Sequence, residues 1–299
     1  MPTIAEAIRE GALRLEQAGE SEARRTAGLL LAYRLKVDRT HLLTHPEQAI
    51  STEDRQAFLQ MIERRAAGEP VQYITGHQEF YGRDFLVTPA VLIPRPETEF
   101  LVERVLALVR DTQQAAPLIV DLGTGSGCIA VTLAVELAAA RMIATDISGA
   151  ALAVARQNAA RHGVGARIEF YEGDLVAPLT AHGLDNRVDI LASNPPYVAE
   201  NQPELVQRDV REFEPHGALF GGADGLSFYR RLLVEAFSVV RSGGFLVCEI
   251  GYSQLDAIAE LVAASRWQLV EIIHDLQGIA RTLVIRKSVE GARRPLLDE

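Results

Sequence analysis

Between residues 118 and 250, short apolar runs alternate with longer amphipathic stretches. The runs at 118–121, 142–146, 167–171, 188–192 and 245–250 read as strands, and the stretches at 128–140, 150–162 and 226–240 read as helices. This alternation leaves few architectures open. A parallel strand pair needs a long crossover, and a helix supplies it. Helices then cover both faces of one mostly parallel sheet. A helix near 255–264 and strands near 267–274 and 282–286 complete the pattern. The expected fold class is α/β, a doubly wound and mostly parallel sheet. Ligands of such sheets sit outside the carboxyl ends of the strands, so the residues just after each strand are the candidates for function.

After the first strand comes DLGTGSG at 121–127. Gly123, Gly125 and Gly127, with Thr124 and Ser126 between them, allow close backbone approach to a ligand. The helix that begins there offers free N–H groups. The spacing is G-x-G-x-G. Cys128 stands where the dinucleotide fingerprint requires a third-spaced glycine, so that fingerprint is not met. Asp146 ends the second strand, placed to take both hydroxyls of a ribose. Taken alone, the loop could be a tight turn and Asp146 a helix N-cap. Together they point to an adenosine ligand. After the third strand, Asp174 could accept from an adenine amine and Leu175 could cover the ring; a loop acid beside a core leucine is the plainer alternative.

The fourth strand ends in SNPPYV at 193–198. Two adjacent prolines fix the backbone and remove two donors. Asn194 offers an amide oxygen, and Tyr197 offers an exposed flat face. With Pro195 and Pro196 holding the carbonyls, the run reads as a clamp for a planar NH2 group, either an amide or an aromatic amine.

Residues 1–75 read as helical. Thr3 and Glu6 fit a capping box, and stretches at 23–35 and 53–67 are amphipathic. Residues 73–87 alternate with glycines at 76 and 82, which suggests a β-hairpin. LIPRPETE at 92–99 precedes a helix at 100–109. The expected organisation is a helical bundle at 1–75, a hairpin connector at 76–98, an α/β domain at 99–288 and a tail at 289–299. The formal net charge of -10 speaks against direct nucleic-acid binding. The N-terminus lacks a signal-peptide h-region, and no apolar run reaches the ~18 residues of a membrane span. A cytoplasmic monomer is expected. The two cysteines, Cys128 and Cys248, lack metal-ligand spacing and read as buried thiols, and no metal is expected.

D-x-G-x-G-x-G, the ribose acid and N-P-P-Y together resemble a class I methyltransferase using S-adenosylmethionine. N-P-P-Y resembles enzymes that methylate nitrogen in a planar system. Three further stretches, EFY at 79–81, LIPRPETE at 92–99 and EFEPHGALFGGADGLSFYR at 212–230, are similar to the peptide chain release factor glutamine methyltransferases, as is the helical N-terminus. The resemblance covers about residues 5–287. It implies a donor site at Gly123, Thr124, Gly125, Ser126, Gly127, Asp146, Asp174, Leu175 and Asn194. It implies a substrate clamp at Asn194, Pro195, Pro196 and Tyr197, with Asn194, Pro195 and Tyr197 catalytic. The implied substrate is the Gly-Gly-Gln glutamine of class 1 release factors, methylated at its side-chain amide (N5), with consequences for translation termination. Leu175 departs from members that carry an aromatic there. Two other readings are a DNA adenine or cytosine amino-methyltransferase and a non-catalytic adenosyl-binding scaffold. The long segment after Tyr197 could be a surface loop, but its expected length without secondary structure favours a lid. His216 within it is expected to be a solvated loop histidine.

Overall fold

The computed structural model describes residues 1–202 and 206–288. The expected tail at 289–299 and part of the expected lid, at 203–205, lie outside the described residues. The chain divides into two compact units, one of Met1–His77 with Gln207–Phe213 and one of the remainder.

The first unit holds helices α1 (Ile4–Gln17), α2 (Ala23–Leu35), α3 (Arg39–Thr44), α4 (Thr52–Ala66) and α5 (Val71–Thr75). The capping box at its start is formed: Thr3 Oγ1 accepts from Glu6 N at 3.3 Å and Glu6 Oε2 accepts from Thr3 N at 2.8 Å. Ser51 caps α4, its Oγ accepting from Asp54 N at 3.0 Å. The apolar stripes of α1, α2 and α4 close over Ile4, Leu15, Leu30, Leu31, Phe58 and Ile62. Residues 73–75, expected as strand, are the end of α5. Pro70 starts that turn, and Gly76 ends it in the left-handed conformation, donating to Gln72 O at 2.7 Å. Gln207–Phe213, which contains α10 (Arg208–Phe213), belongs to this unit rather than to a continuous C-terminal domain. Arg65, only 16% exposed, pairs with Glu20 at 2.6 Å and with Asp209 at 3.5 Å.

The second unit carries a hairpin, β1 (His77–Phe80) and β2 (Arg83–Leu86), whose first residue is counted with the helical unit. Its sheet is built from β3 (Leu118–Leu122), β4 (Arg141–Asp146), β5 (Ile168–Glu172), β6 (Val188–Ser193), β7 (Val240–Glu249), β8 (Trp267–His274) and β9 (Ala280–Lys287). The order is β5-β4-β3-β6-β7-β9-β8. The pairs from β5 to β7 are parallel, and β9 is antiparallel to both neighbours. Helices α6 (Thr98–Thr112), α7 (Cys128–Glu136), α8 (Gly149–Arg161), α9 (Ala177–Ala181), α11 (His216–Leu219), α12 (Ser227–Val239) and α13 (Leu255–Ala263) accompany it. Two separate apolar clusters, one around α6 and α7 and one around α12 and α13, show that helices cover both faces. The chain order reverses between β3 and β6, so the tips of these strands form the switch point. The segment expected to lack secondary structure contains α10 and α11, the second of them started by Pro215 at its N-cap.

Candidate active site

Parallel register brings three strand ends to one edge. Asp121 pairs with Ala144 and with Ala192, so the residues following β3, β4 and β6 emerge together. They line a cavity of about 490 Å³, within the size range of small-ligand sites. Of the sequence-predicted residues, Gly123, Thr124, Gly125, Ser126, Asp146, Asp174, Leu175, Asn194, Pro195 and Pro196 line it, whereas Gly127 and Tyr197 do not.

The glycine loop is held from below. Gly123 N and Thr124 N both donate to Thr145 O at 2.9 Å. Asp121, fully buried, accepts from Thr124 Oγ1 at 2.6 Å and from Ala130 N at 3.1 Å. Burial pushes its carboxyl up to about 7, against those two hydrogen bonds, and its Oδ1 has no partner. Buried Asn158 ties the loop to the hairpin by donating to Ser126 O at 2.8 Å and Leu86 O at 2.9 Å, while accepting from Leu86 N at 2.7 Å. Gly127 serves packing. It has φ 81°, and a Cβ there would stand 3.1 Å from the Ala155 Cβ, so α7 and α8 approach through it.

Asp146 closes this end. Its oxygens accept one backbone N–H each, from Gly125 at 2.9 Å and Ser148 at 2.9 Å. A carboxylate has about four acceptor positions, so two remain for a diol. Burial raises its pKa, partly offset by the backbone donors. Ile147, 70% exposed and lining the cavity, offers an apolar surface beside it that sequence reasoning missed. Nothing lies within 4 Å of where a Cβ would stand on Gly123 or Gly125, so the loop backbone is open to a ligand. These features fit a nucleoside. Asp174 is exposed and forms a two-pronged ion pair with Arg231, at 2.7 and 3.3 Å. Leu175 is buried, with φ 47°, and packs in the core cluster while reaching the cavity.

At the other end, Asn194 Nδ2 donates to Thr98 Oγ1 at 3.0 Å, and Thr98 Oγ1 donates to Glu249 Oε2 at 2.6 Å. Tyr197 is half-buried rather than exposed. It packs on the core, and its hydroxyl donates to Glu249 Oε1 at 3.4 Å. Burial, first, and Glu249, second, raise the Tyr197 pKa, so the phenol keeps its proton. The loop behind the prolines is fixed by Gln254, which donates to Tyr197 O at 2.9 Å. Gly225 packs there so tightly that a Cβ would fall 2.4 Å from Tyr197 O. Arg95 lines the cavity and pairs with buried Glu214, which also accepts from Ile93 N at 3.1 Å. His216 is exposed and stacks on Phe220. Thr98, Glu249, Glu214 and Gln254 were not identified from the sequence. Thr98 lies in the PRPET run, but nothing local announces its partners, 96 and 151 residues away.

Among the described residues no helix is long and apolar enough to cross a membrane, and no group of three or more His, Cys, Asp or Glu is placed to hold a metal. A family model described as the PrmC N-terminal domain matches residues 6–76, and the methyltransferase small domain model matches 97–247. The hMettl16 catalytic domain in complex with MAT2A 3'UTR hairpin 1 is 15% identical, with a TM-score of 0.55 over 90% of this chain and 93% of that one. A methyltransferase from Pyrococcus furiosus is 17% identical, with a TM-score of 0.51 over 80% of this chain and 100% of that one. Both likenesses show the fold. The release factor glutamine methyltransferase of Koribacter versatilis (strain Ellin345) is 44% identical over 95% of this chain and 99% of its own length. The protein of the same name from Bacillus subtilis (strain 168) is 40% identical over 95% of this chain and 97% of its own. Identity at this level along nearly the full length, in both units, places the chain in the family of release factor glutamine methyltransferases.

Proposed function

We propose that this protein transfers a methyl group from S-adenosylmethionine to the side-chain amide nitrogen of the Gly-Gly-Gln glutamine in class 1 release factors. The observation that carries the reading is the fixed Asn194 side chain. Its NH2 is occupied by Thr98, which leaves its carbonyl oxygen for a ligand in the cavity that the glycine loop also lines. A carbonyl oxygen there suits an acceptor that presents N–H groups. The family assignment favours a protein amide over a DNA base.

S-adenosylmethionine supplies an electrophilic methyl group on a positively charged sulfur. The glycine loop would face its amino-acid portion, Asp146 the ribose hydroxyls, and Ile147 and Leu175 the adenine. Asp174, already paired with Arg231, has its remaining acceptor positions for the adenine amine. The acceptor is the difficult partner, because an amide nitrogen shares its lone pair with its own carbonyl. Asn194 Oδ1 and the Pro195 carbonyl hold its two N–H bonds and aim the nitrogen. Tyr197 borders the amide from behind the prolines. The acceleration comes from orientation and fixed dipoles that need no rearrangement.

The helical unit docks release factor at a distance from the glutamine. Its Leu13, Leu29 and Leu43 are 52%, 45% and 71% exposed. Replacing all three by glutamate is expected to reduce kcat/KM on intact release factor and to spare a short Gly-Gly-Gln peptide. Equal loss on both substrates refutes docking. For the activity itself, tritiated methyl donor is offered with release factor, with DNA and alone. Label should enter release factor only, at the glutamine amide, and label in DNA would overturn the assignment.

A further inference from the structure

Glu249 is the last residue of β7, is 2% exposed and does not line the cavity. A buried carboxyl costs free energy unless it is well partnered, and this one is enclosed with few partners. Its oxygens accept from Thr98 at 2.6 Å and Tyr197 at 3.4 Å, and its backbone carbonyl accepts from Tyr229 at 2.8 Å. Thr98, also 2% exposed, has one hydroxyl proton to give. With that proton on the bond to Glu249, Thr98 Oγ1 meets Asn194 only as an acceptor. The Asn194 NH2 must then turn towards it, at 3.0 Å, and the amide oxygen is left for the acceptor.

We propose that Glu249 is a positioning residue for methyl transfer, which sets through Thr98 which end of the Asn194 amide meets the glutamine. The inference rests on the reading of Asn194 as the partner of the acceptor amide. The same chain of bonds has a second polarity. A neutral Glu249 donates to Thr98, the Thr98 proton then points at Asn194, and the amide turns its NH2 to the acceptor. A donor facing the N–H of glutamine holds it poorly. Burial pushes the Glu249 carboxyl up to about 7. Glu97 adds to the rise, while the Thr98 and Tyr197 hydrogen bonds and Arg281 oppose it. Tyr229 donates to its backbone carbonyl and Cys248 precedes it on β7; both, together with Cys128, have raised pKa values and stay neutral. The two polarities therefore exchange near neutral pH.

Glu249→Gln keeps the shape and fixes a neutral group. It is expected to lower kcat by about 10- to 100-fold, the cost of losing a supporting residue behind a site, with unchanged affinity for S-adenosylhomocysteine by calorimetry. The wild-type kcat should fall on the acid side of about pH 7, and that limb should vanish in the variant. Thr98→Val should match Glu249→Gln, and Thr98→Ser should recover most of the loss. In an Asn194→Ala background, Glu249→Gln should add nothing, as for two residues acting through one contact. Wild-type kcat with an intact acid limb in Glu249→Gln would overturn the proposal and leave the clamp standing. Parallel losses of kcat, donor affinity and Tm would also overturn it, in favour of a structural role. Wild-type turnover in Asn194→Ala alone would instead remove the clamp reading on which the relay depends.

Discussion

The two ends of the cavity are held in different ways. The glycine-loop end is held mostly through main chain, with the Asp121 and Asn158 side chains beneath it: Gly125 N and Ser148 N grip Asp146, and Thr145 O grips the loop. The prolines' end is built from side chains drawn from α6, β7 and the β6 tip, in a chain of single hydrogen bonds. Backbone groups have one polarity, so the first end can be occupied or empty but not reversed. Hydroxyl and amide groups have two, so the second end can be present with every atom in place and still face the wrong way.

The widest test of this contrast is Asn194→Ala. Removing one fixed polar group aimed at the reacting centre costs about 100- to 1000-fold in kcat, and the affinity for S-adenosylhomocysteine should not move. A variant that keeps more than roughly a tenth of wild-type turnover shows that this end does not orient the acceptor. Asp146→Ala should do the converse. Hydrogen bonds to a charged group contribute about 1.5–3 kcal/mol, so calorimetry should find the donor weakened about 10- to 100-fold, with kcat restored at saturating donor. Unchanged affinity would make Asp146 a turn cap.

The smallest effect is on stability. Glu249 and Asp121 both have folded-state pKa values raised to about 7, with burial the first cause in each. The folded state therefore holds their protons more tightly than the unfolded chain does. Their contribution is fully present below the unfolded carboxylate range of about 4 and is lost as pH rises through about 7. The Tm should fall across that window, while the proposed activity rises across the same window. Glu249→Gln should flatten part of the slope, and an unaltered slope would place the titration elsewhere.

The alternating runs from Leu118 to Ile250 made the parallel sheet legible, because strand and helix periods are local properties. The same holds for the glycine loop and Asp146, which sit one crossover apart. Tyr73 to Thr75 misled because alternation with aromatics resembles a strand, whereas Pro70 and Gly76 frame a single helical turn. Thr98 and Glu249 were illegible for a different reason. A threonine at a helix start and a glutamate at a strand end are ordinary residues until the fold sets them 2.6 Å apart. Tyr197 was placed at the right strand end but with the wrong exposure, since the distant Glu249 and Gln254 draw it and its carbonyl inward.

Helix α10 belongs to the unit formed by the first residues of the chain, although it follows the prolines in sequence. Arg65 waits 144 residues for Asp209. On a ribosome adding roughly 5–20 residues per second, that interval is on the order of 10–30 s. During it, Arg65 has Glu20 but not its second carboxylate, and the apolar side of Gly68 lacks the Phe213 ring that later stands against it. The N-terminal helices therefore emerge first and are completed late. Their last piece arrives only after β3 to β6 have been made. Vectorial synthesis thus lets the helical unit begin folding before the sheet strands are made, and leaves it unfinished until β3 to β6 have been synthesised.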